Sequence, residues 1–524
     1  MANRPELSVG EALVGLLETY GVDTIFGIPG VHNVEMYRAL PRSNIKHILT
    51  RHEQGAGFMA DGYARATGRP GVCFTITGPG LLNILTPMGQ AWSDSSNILV
   101  ISSALDIPES AQGRGRLHEM ISQHQAAKSV TTYAARAYTA KDIQNAVASS
   151  FARFASSRPR PAYLEVPLDL FNAAAGEGWT ATALPMLPAP HADQIKVAAL
   201  KLQNAKRPMI ILGGGALTAS AAATSIAEKL NAPILSTVAG KGAVRADHPL
   251  CWGYCLAQPD VQSALNKSDA ILCVGSELSE TDFWNTDFII TKNLIRVDLD
   301  PESLARPHHA EIAIQADAKS ALEQLNNLLI VGKALPQTAP ETEISDLREM
   351  FTTVLKVIRD HLPEDTVIAS DMTQIAYAAN EVFPVYYPRT WLHPVGFGTL
   401  GFALPAAIGA KFAVGKKPVA AFIGDYGFQY TINELGTAAE HKLPLVIFLW
   451  NNEALGQIRD DMVNKGIQPN AVTLQNPDFQ MLAKAYGCNA VKPENLKALS
   501  AAITSALNAE GPTLIEMTPR MVHG

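Results

Sequence analysis

The chain has 524 residues, a length typical of three or four domains of about 150 residues each. Hydrophobic residues make up 47% and charged residues 17%, which excludes a disordered protein, because disordered chains are poor in apolar residues and rich in charge. The net charge of −7 argues against a nucleic-acid partner, and no apolar run approaches the roughly 18 residues of a membrane span, so no membrane partner is expected.

The first predicted helix begins at a capping box formed by Ser8 and Glu11, where a secretory signal peptide would carry a charged and then an apolar segment. Five cysteines are too few for a disulfide framework, so we expect a cytoplasmic protein. Short apolar runs then alternate with helical segments, which is typical of parallel α/β units. The runs that we predict to be strands are Val72–Thr77, Ile98–Ser102, Tyr163–Val166, Met209–Leu212, Ile271–Val274, Thr366–Ser370, Val419–Ile423 and Leu445–Trp450.

Two segments rich in proline or alanine are predicted linkers, Ala183–Asp193 and Gly332–Glu343. They divide the chain into three blocks, 1–175, 190–335 and 350–524. The fold class that we predict is α/β, with three doubly wound parallel-sheet domains.

Two glycine-rich segments invite comparison with nucleotide-binding loops. Gly213-Gly214-Gly215 follows a predicted strand, so it could face a phosphate, but a tight strand-to-helix turn explains it equally well and we favour that structural interpretation. The segment from Gly396 to Gly401 matches the dinucleotide pattern G-x-G-x-x-G, yet His393-Pro394 interrupts the strand that such a site requires.

In the third block, Asp425 and Asn452 each come shortly after a predicted strand. Because parallel strands end at the same edge of a sheet, we expect the two side chains to lie close together. A carboxylate and an amide oxygen suit a hard cation such as Mg²⁺ that is shared with phosphates. The alternative is that Asp425 caps a helix and Asn452 lies in a turn, but the two residues together favour the metal and diphosphate site. Thr431 and Glu434 are predicted to form a capping box on the next helix.

Gly424-Asp425 followed by Asn452 resembles the thiamine diphosphate motif that begins Gly-Asp-Gly and ends Asn-Asn, with Tyr426 at the third position in place of glycine. Further motifs resemble the acetolactate-synthase-like and 2-oxo acid decarboxylase family. They are Phe26–Gly30, Arg51–Ala56, Ala60–Arg65, Gly78–Gly80, Gly240–Ala243, Val297–Pro301 and Gly398–Ala407. The resemblance covers almost the whole chain, and it implies a pyrimidine-binding, a central and a diphosphate-binding domain.

Glu53 has an alternative interpretation, because Thr50 and Glu53 have the spacing of a capping box. By the resemblance, however, Glu53 is a catalytic residue that hydrogen-bonds the pyrimidine ring of thiamine diphosphate. The resemblance also implies cofactor contacts at Pro29, Asn83, Thr373, Gln374, Gly398, Leu400, Asp425, Tyr426, Gly427 and Asn452. The implied Mg²⁺ ligands are Asp425, Asn452 and the backbone oxygen of Ala454. FAD is possible but not favoured.

In this family the pyrimidine glutamate and the metal site come from different subunits, so the resemblance implies at least a homodimer, and a homotetramer is expected. His118 stands at an active-site position of the family and is a candidate proton donor. His32, Asp460 and Asp461 are candidate substrate residues. The segment Ser276–Glu280 adds negative charge where the family has an arginine.

The resemblance is greatest to an enzyme that decarboxylates 5-guanidino-2-oxopentanoate to 4-guanidinobutanal and CO2, because carboxylates near the substrate tail favour a cationic 2-oxo acid. An acetolactate synthase or related carboligase is the first alternative. A noncatalytic homologue that binds flavin or a nucleotide is the second.

Overall fold

The computed structural model describes residues 7–110, 112–332, 334–339 and 346–523. Residues 333 and 340–343 of the second predicted linker therefore lie outside the described residues. Within the described ranges the strands form three six-stranded sheets, and every strand pair in them is parallel. In the same ranges no helix has the length and apolarity to cross a membrane.

The first sheet has the strand order β2-β1-β3-β4-β6-β5. Its strands are β1 (Thr24–Gly27), β2 (Lys46–Leu49), β3 (Gly71–Thr75), β4 (Ile98–Ala104), β5 (Tyr133–Arg136) and β6 (Ala162–Pro167). The helices around it are α1 (Val9–Thr19), α2 (Val34–Tyr37), α3 (Glu53–Thr67), α4 (Pro79–Ser93), α5 (Gln123–Lys128), α6 (Ala140–Ser156) and α7 (Leu168–Phe171).

The central sheet has the order β12-β11-β10-β7-β8-β9, which is the strand order of a doubly wound nucleotide-binding fold. Its strands are β7 (Pro208–Leu212), β8 (Ile234–Ser236), β9 (Cys251–Gly253), β10 (Ala270–Val274), β11 (Leu294–Asp298) and β12 (Ile312–Gln315). Its helices are α8 (Ala192–Asn204), α9 (Ser220–Leu230), α10 (Pro259–Lys267), α11 (Glu280–Phe283), α12 (Pro301–Ala305) and α13 (Ala318–Leu328).

The third sheet, β14-β13-β15-β16-β18-β17, repeats the order of the first sheet. Its strands are β13 (Val367–Ser370), β14 (Trp391–Leu392), β15 (Val419–Gly424), β16 (Leu445–Trp450), β17 (Asn489–Val491) and β18 (Thr513–Met517). Its helices are α14 (Asp346–His361), α15 (Gln374–Val382), α16 (Ala403–Val414), α17 (Asp425–Thr431), α18 (Leu435–Glu440), α19 (Gly456–Asn464), α20 (Phe479–Ala485), α21 (Leu496–Leu507) and α22 (Arg520–His523).

Each sheet is covered on both faces, because successive residues of one strand enter different hydrophobic cores. In β3, Val72 faces one core and Cys73 the other, and in β15 Ala420 and Ala421 divide in the same way. Burial on both faces explains why these strands read as continuous apolar runs in the sequence. The prediction of an α/β fold with three doubly wound parallel sheets is confirmed.

The first and third sheets share one core, and helices α3 and α16 cross at its centre. A Cβ atom at Gly62 would lie 2.1 Å from the carbonyl oxygen of Ala406, and one at Gly409 would lie 1.9 Å from that of Met59. The two helices therefore touch backbone to backbone, which fixes the position of α3 relative to the third sheet.

An ion network next to this crossing also connects the two sheets. The Arg65 guanidinium lies 2.7 Å from Asp61 and 3.0 Å from Asp94, and it donates to the carbonyl oxygen of His393 at 2.9 Å. Asp94 in turn accepts from the backbone N–H groups of Val395 and Gly396. The network therefore holds the segment after β14 against the first sheet.

We expect Arg65→Met to destabilise the protein by roughly 3–5 kcal/mol, because it leaves two buried carboxylates without their cation. The measurement is the denaturant midpoint of unfolding. Arg69→Met is the matched control, because the Arg69–Asp23 pair has side chains 48% and 49% exposed and should be worth about 1 kcal/mol or less. Equal effects of the two substitutions would contradict a structural role for the buried network.

The central domain contacts the third sheet through Lys241. Its buried Nζ donates to the carbonyl oxygens of Asn380 at 2.7 Å and Phe383 at 3.0 Å, at the C-terminal end of α15. These carbonyl groups are free to accept because the last turn of a helix leaves them without intrahelical partners. Lys241 thus fixes the end of a helix whose other end carries Gln374.

Candidate active site

The residues predicted for the pyrimidine side follow the carboxyl ends of four strands of the first sheet. Pro29 and His32 follow β1, Glu53 follows β2, Asn83 lies in the helix after β3, and His118 follows β4. Ligands of open parallel sheets bind at this edge, so the placement agrees with a binding site.

Glu53 is the first residue of α3 and only 8% exposed. The N-cap of this helix is His52, whose side chain accepts from the backbone N–H of Gln54, so the alternative capping box of Thr50 and Glu53 is wrong. The Glu53 carboxylate instead accepts from Asn83 Nδ2 at 2.9 Å. Its other oxygen makes no hydrogen bond with the described residues and is available to a ligand.

His32 and His118 are 86 positions apart in sequence, but their rings pack edge to face with centroids 4.9 Å apart. The Nδ1 atom of each ring is buried without a partner among the described residues. Burial lowers the pKa of His32, and the neighbouring His118 lowers it further, whereas Asp106 opposes both. The structure therefore pairs the candidate proton donor with a candidate substrate residue.

The loop that carries His118 has an unusual backbone. His118 has a φ of 64°, and a Cβ at Gly78 would lie 2.6 Å from the His118 carbonyl oxygen. The neighbouring Glu119 carboxylate accepts from the backbone N–H groups of Gly113 at 2.7 Å and Arg116 at 3.1 Å. These contacts hold His118 in a conformation that residues other than glycine rarely adopt.

The site residues predicted in the third block, for the cofactor, the metal and the substrate, follow the carboxyl ends of four strands of the third sheet. Thr373 and Gln374 follow β13, Gly398 and Leu400 follow β14, Asp425, Tyr426 and Gly427 follow β15, and Asn452, Ala454, Asp460 and Asp461 follow β16. Strands β15 and β16 are paired in parallel as expected, with Gly424 opposite Trp450.

Asp425 is 2% exposed, and the structure surrounds its carboxylate with N–H donors. Oδ2 accepts from the Glu453 backbone and from Asn476 Nδ2, both at 2.8 Å, and Oδ1 accepts from the Tyr426 backbone at 2.9 Å. Burial raises the pKa of Asp425, and these hydrogen bonds oppose the rise. The N-cap of α17 is Gly424, so the alternative in which Asp425 caps this helix is wrong, and its carboxylate instead contacts the loop after β16.

The predicted Mg²⁺ ligands provide a carboxylate, the Asn452 amide oxygen and the Ala454 carbonyl, which are the hard oxygen donors that Mg²⁺ takes. Among the described residues, Asn452 Oδ1 accepts only a long bond of 3.3 Å from the Ala454 N–H, so it retains a lone pair for a cation. The described residues contain no cluster of three or more His, Cys, Asp or Glu side chains that could hold a metal. The oxygen set at Asp425 fits a magnesium diphosphate in its chemistry.

Tyr426 lies within α17, so the third motif position needs no glycine for its backbone conformation. Its ring packs against Tyr430 with centroids 5.4 Å apart. The close approach occurs one residue later, where a Cβ at Gly427 would lie 3.2 Å from the Asp371 carboxylate. A side chain at position 427 would therefore crowd the Asp371 carboxylate, and glycine avoids this contact.

The segment from Gly396 to Gly401 is held by three polar side chains. Asp94 binds the Gly396 N–H, Gln90 accepts from both the N–H and the hydroxyl of Thr399, and Asp371 accepts from Gly401 at 2.9 Å. Burial raises the pKa of Asp371 to about 7. Only the two-residue β14 precedes this segment, so its glycines do not form the strand-to-helix turn of a dinucleotide site.

The first glycine-rich segment has the structural role that we favoured. A Cβ at Gly213 would lie 2.1 Å from the Gly275 carbonyl oxygen, and the Gly215 N–H donates to the same oxygen at 3.0 Å. Two backbone segments therefore meet here, where any larger residue would clash.

The predicted acidic substrate residues have different environments. Asp460 accepts from Gln374 Nε2 at 2.7 Å, which places it next to the diphosphate side. Asp461 accepts from Gln457 on its own helix. Glu277, in the acidic central segment, pairs with Arg158 at 2.5 Å and Arg160 at 3.1 Å, so its charge is compensated within the chain.

Among the polar residues that organise these loops, the sequence analysis missed Asp371 and Asn476 and gave Glu434 a different role. The capping box predicted for Thr431 and Glu434 is wrong, since the Thr431 hydroxyl donates to the Gly401 carbonyl and makes no capping bond. The carboxylate of Glu434 instead accepts from the backbone at Arg51 and His52. Long-range contacts of this kind leave no local spacing signal.

Three family models match the chain in order. They are the N-terminal TPP binding domain of thiamine pyrophosphate enzymes at residues 7–127, the central domain at 195–325 and the C-terminal TPP binding domain at 371–517. The chain belongs to the thiamine pyrophosphate enzyme family. The family predicted from the sequence and the expectation of an enzyme are thus confirmed.

Similar proteins cover nearly the whole length of this thiamine pyrophosphate enzyme. A "probable 2-ketoarginine decarboxylase" of Pseudomonas aeruginosa is 43% identical, over 99% of this chain and 95% of that protein. The large subunit of acetolactate synthase isozyme 1 of Escherichia coli is 30% identical, over 98% and 94% respectively. The X-ray structure of "a putative thiamin diphosphate-dependent enzyme" from Mycobacterium smegmatis has a TM-score of 0.86 at 24% identity, covers 98% of this chain and 99% of that chain, and shares the fold.

Proposed function

We propose that this thiamine pyrophosphate enzyme decarboxylates 5-guanidino-2-oxopentanoate, also called 2-ketoarginine, to 4-guanidinobutanal and CO2, with thiamine diphosphate and Mg²⁺ as cofactors. The observation that carries the proposal is the 43% identity, over nearly the whole of both chains, to the protein described as a 2-ketoarginine decarboxylase. In the reaction the bond between the carboxylate carbon and the 2-oxo carbon breaks, and that 2-oxo carbon takes up one proton.

Bound thiamine diphosphate supplies the electron sink that makes this cleavage possible. We assign Glu53 to a hydrogen bond with the pyrimidine ring, because a buried carboxylate with one unpaired oxygen can exchange a proton with a ring nitrogen. Asn83 orients it by holding the other oxygen at 2.9 Å. Pro29 is assigned to the same side of the cofactor.

On the diphosphate side, Asp425, Asn452 and the Ala454 carbonyl are assigned to Mg²⁺. The remaining cofactor contacts are assigned to Thr373, Gln374, Gly398, Leu400, Tyr426, Gly427 and Asn452. A Cβ at Gly424 would lie 2.8 Å from Thr373 Oγ1, so the two loops of this side already touch each other.

For the substrate, we assign proton delivery to His118 with His32 as its neighbour, and recognition of the guanidinium group to Asp460 and Asp461 by charge-assisted hydrogen bonds. Asp460 is the acidic residue with the direct link to the cofactor side, through Gln374. Glu277 suits this role less well, because two arginines pair with it, whereas Asp460 pairs with one, Arg459.

In the part of the chain that the structure describes, no hydrogen bond joins Glu53 or Asn83 to the Asp425 loops. This supports the proposal that a site is completed between two copies, and that the enzyme is a homodimer or homotetramer in the cytoplasm. The domain limits 1–175, 190–335 and 350–524 are proposed with it. Flavin is not part of the proposal, and a visible absorbance spectrum of the purified protein tests its absence.

The experiment is an assay of CO2 release from a panel of 2-oxo acids, with product identification by NMR. With 5-guanidino-2-oxopentanoate we expect CO2 and 4-guanidinobutanal in equal amounts, and loss of the reaction when thiamine diphosphate or Mg²⁺ is omitted. The 30% identity to acetolactate synthase favours a carboligase as the second candidate. Acetolactate from pyruvate, without turnover of any cationic 2-oxo acid, would establish that alternative and refute ours.

A further inference from the structure

Glu434 is a buried carboxylate at the junction of the first and third sheets. It follows α17, the helix that starts at Asp425, yet its side chain leaves the third sheet and reaches the N-terminal end of α3. It has no exposed surface, and burial raises the pKa of its carboxyl to about 7. A carboxyl group retained where its charge is disfavoured is typical of a functional position.

The contacts of Glu434 are directed at the two residues before Glu53. Oε1 accepts from the backbone N–H of Arg51 at 3.0 Å and of His52 at 3.1 Å, and Oε2 lies 3.2 Å from the Arg51 nitrogen. The Thr437 hydroxyl donates to Oε2 at 2.7 Å. The side chain therefore connects α18, which contains Thr437, to the start of α3.

This bridge has little space in which to shift. A Cβ at Gly55 would lie 2.2 Å from Glu434 Oε1 and 2.6 Å from Cδ, so glycine is required there for the carboxylate to reach the backbone of α3. The Arg51 guanidinium turns away and pairs with the half-exposed Glu440 at 2.5 Å. The Arg51 side chain therefore does not pair with Glu434, whose contacts with Arg51 and His52 are to their backbone N–H groups.

We propose that Glu434 is a positioning residue, which fixes the backbone of Arg51 and His52 so that Glu53 is held toward the pyrimidine of thiamine diphosphate. The inference rests on the function proposed for Glu53. It assigns to the third domain of each chain a part in orienting the catalytic carboxylate of the first domain. A shift of about 1 Å in a catalytic group can cost about two orders of magnitude in rate, so a small loosening has a measurable effect.

Three variants of the full-length enzyme separate the possible roles of Glu434. Glu434→Met fills the same space without acceptors, and Glu434→Gln retains an oxygen at the position of Oε1. Glu440→Gln is the matched control, because it removes an exposed carboxylate that contacts the side chain of the same Arg51. Gly55→Ala displaces the Glu434 carboxylate by placing a methyl group against it. This variant replaces Glu434→Met in the test if Glu434→Met does not fold.

Two measurements are made on each variant. The first is hydrogen–deuterium exchange of the Arg51 and His52 amides in the cofactor-free protein. The second is the rate at which bound thiamine diphosphate exchanges its C2 proton with D2O. We expect Glu434→Met or Gly55→Ala to speed amide exchange and slow C2 exchange by at least about tenfold, with Glu434→Gln within about threefold of the unmodified enzyme and Glu440→Gln unchanged.

Normal C2 exchange in Glu434→Met or Gly55→Ala would overturn the inference, and so would equal losses in Glu434→Met and Glu434→Gln. A parallel Glu53→Gln variant distinguishes failure of the role proposed for Glu53 from failure of the role proposed for Glu434. If that variant also retains normal C2 exchange, the function proposed for Glu53 fails. If only Glu53→Gln is impaired, the positioning role of Glu434 alone fails.

Discussion

Glu53→Gln should lower kcat by about two to four orders of magnitude and leave the substrate KM nearly unchanged. The amide fills the same space but cannot exchange a proton with the pyrimidine nitrogen, so cofactor activation is lost while substrate binding is retained. Burial at the start of α3 and the bond from Asn83 hold the Glu53 side chain in place. Steady-state kinetics measure kcat and KM, and the rate of C2 proton exchange in the bound cofactor measures cofactor activation.

Asn83→Ala should have a smaller effect than Glu53→Gln. It removes the donor at 2.9 Å but leaves the carboxylate, so we expect a loss of about tenfold or less. Glu177→Gln, an exposed substitution just after the first domain, is the control. Full activity of Glu53→Gln would refute the role that we assign to Glu53.

Asp425→Ala should weaken thiamine diphosphate binding by about 10- to 100-fold and abolish activity at ordinary cofactor concentrations. The substitution removes the one carboxylate of the proposed Mg²⁺ set and also one acceptor of the Glu453 N–H and of Asn476 Nδ2, which keep Asn451 Oδ1 as their other acceptor. Calorimetric titration of the apoenzyme with thiamine diphosphate, with and without Mg²⁺, measures the effect.

Removal of the divalent metal from the unmodified enzyme with a chelator should weaken thiamine diphosphate binding as Asp425→Ala does. Added Mg²⁺ should restore binding in the chelator-treated enzyme but not in Asp425→Ala. Glu494→Gln, an exposed carboxylate of the same domain, is the control. Unchanged affinity in Asp425→Ala, or affinity that is indifferent to Mg²⁺, would contradict the metal assignment.

Much of the fold could be predicted because most strands are buried on both faces. Leu445–Trp450 was predicted with both of its bounds, and Val419–Ile423 differs from β15 by one residue. The edge strands β2 and β5 were not predicted, because Lys46–Leu49 and Tyr133–Arg136 are partly exposed and carry charged residues. An edge strand needs no continuous apolar run, so periodicity does not reveal it.

The location of Asp425 and Asn452 at one edge of the sheet could be predicted, because each follows one of two neighbouring parallel strands. The contacts that orient those residues could not be predicted, because they join distant segments. Glu434 matched a local capping pattern with Thr431, but the backbone donors at Arg51 and His52 compete successfully for its carboxylate. The pairing of His32 with His118 likewise depends on how two loops meet, and neither residue signals it alone.

We propose that this enzyme decarboxylates a 2-oxo acid with a cationic end, and a direct competition between two substrates tests this proposal. The enzyme, loaded with thiamine diphosphate and Mg²⁺, is given equal concentrations of 5-guanidino-2-oxopentanoate and the uncharged 2-oxohexanoate. We predict that kcat/KM favours the guanidino acid by at least about a hundredfold, with 4-guanidinobutanal as its product. Equal consumption of the two acids, or preference for the uncharged one, would contradict the claim.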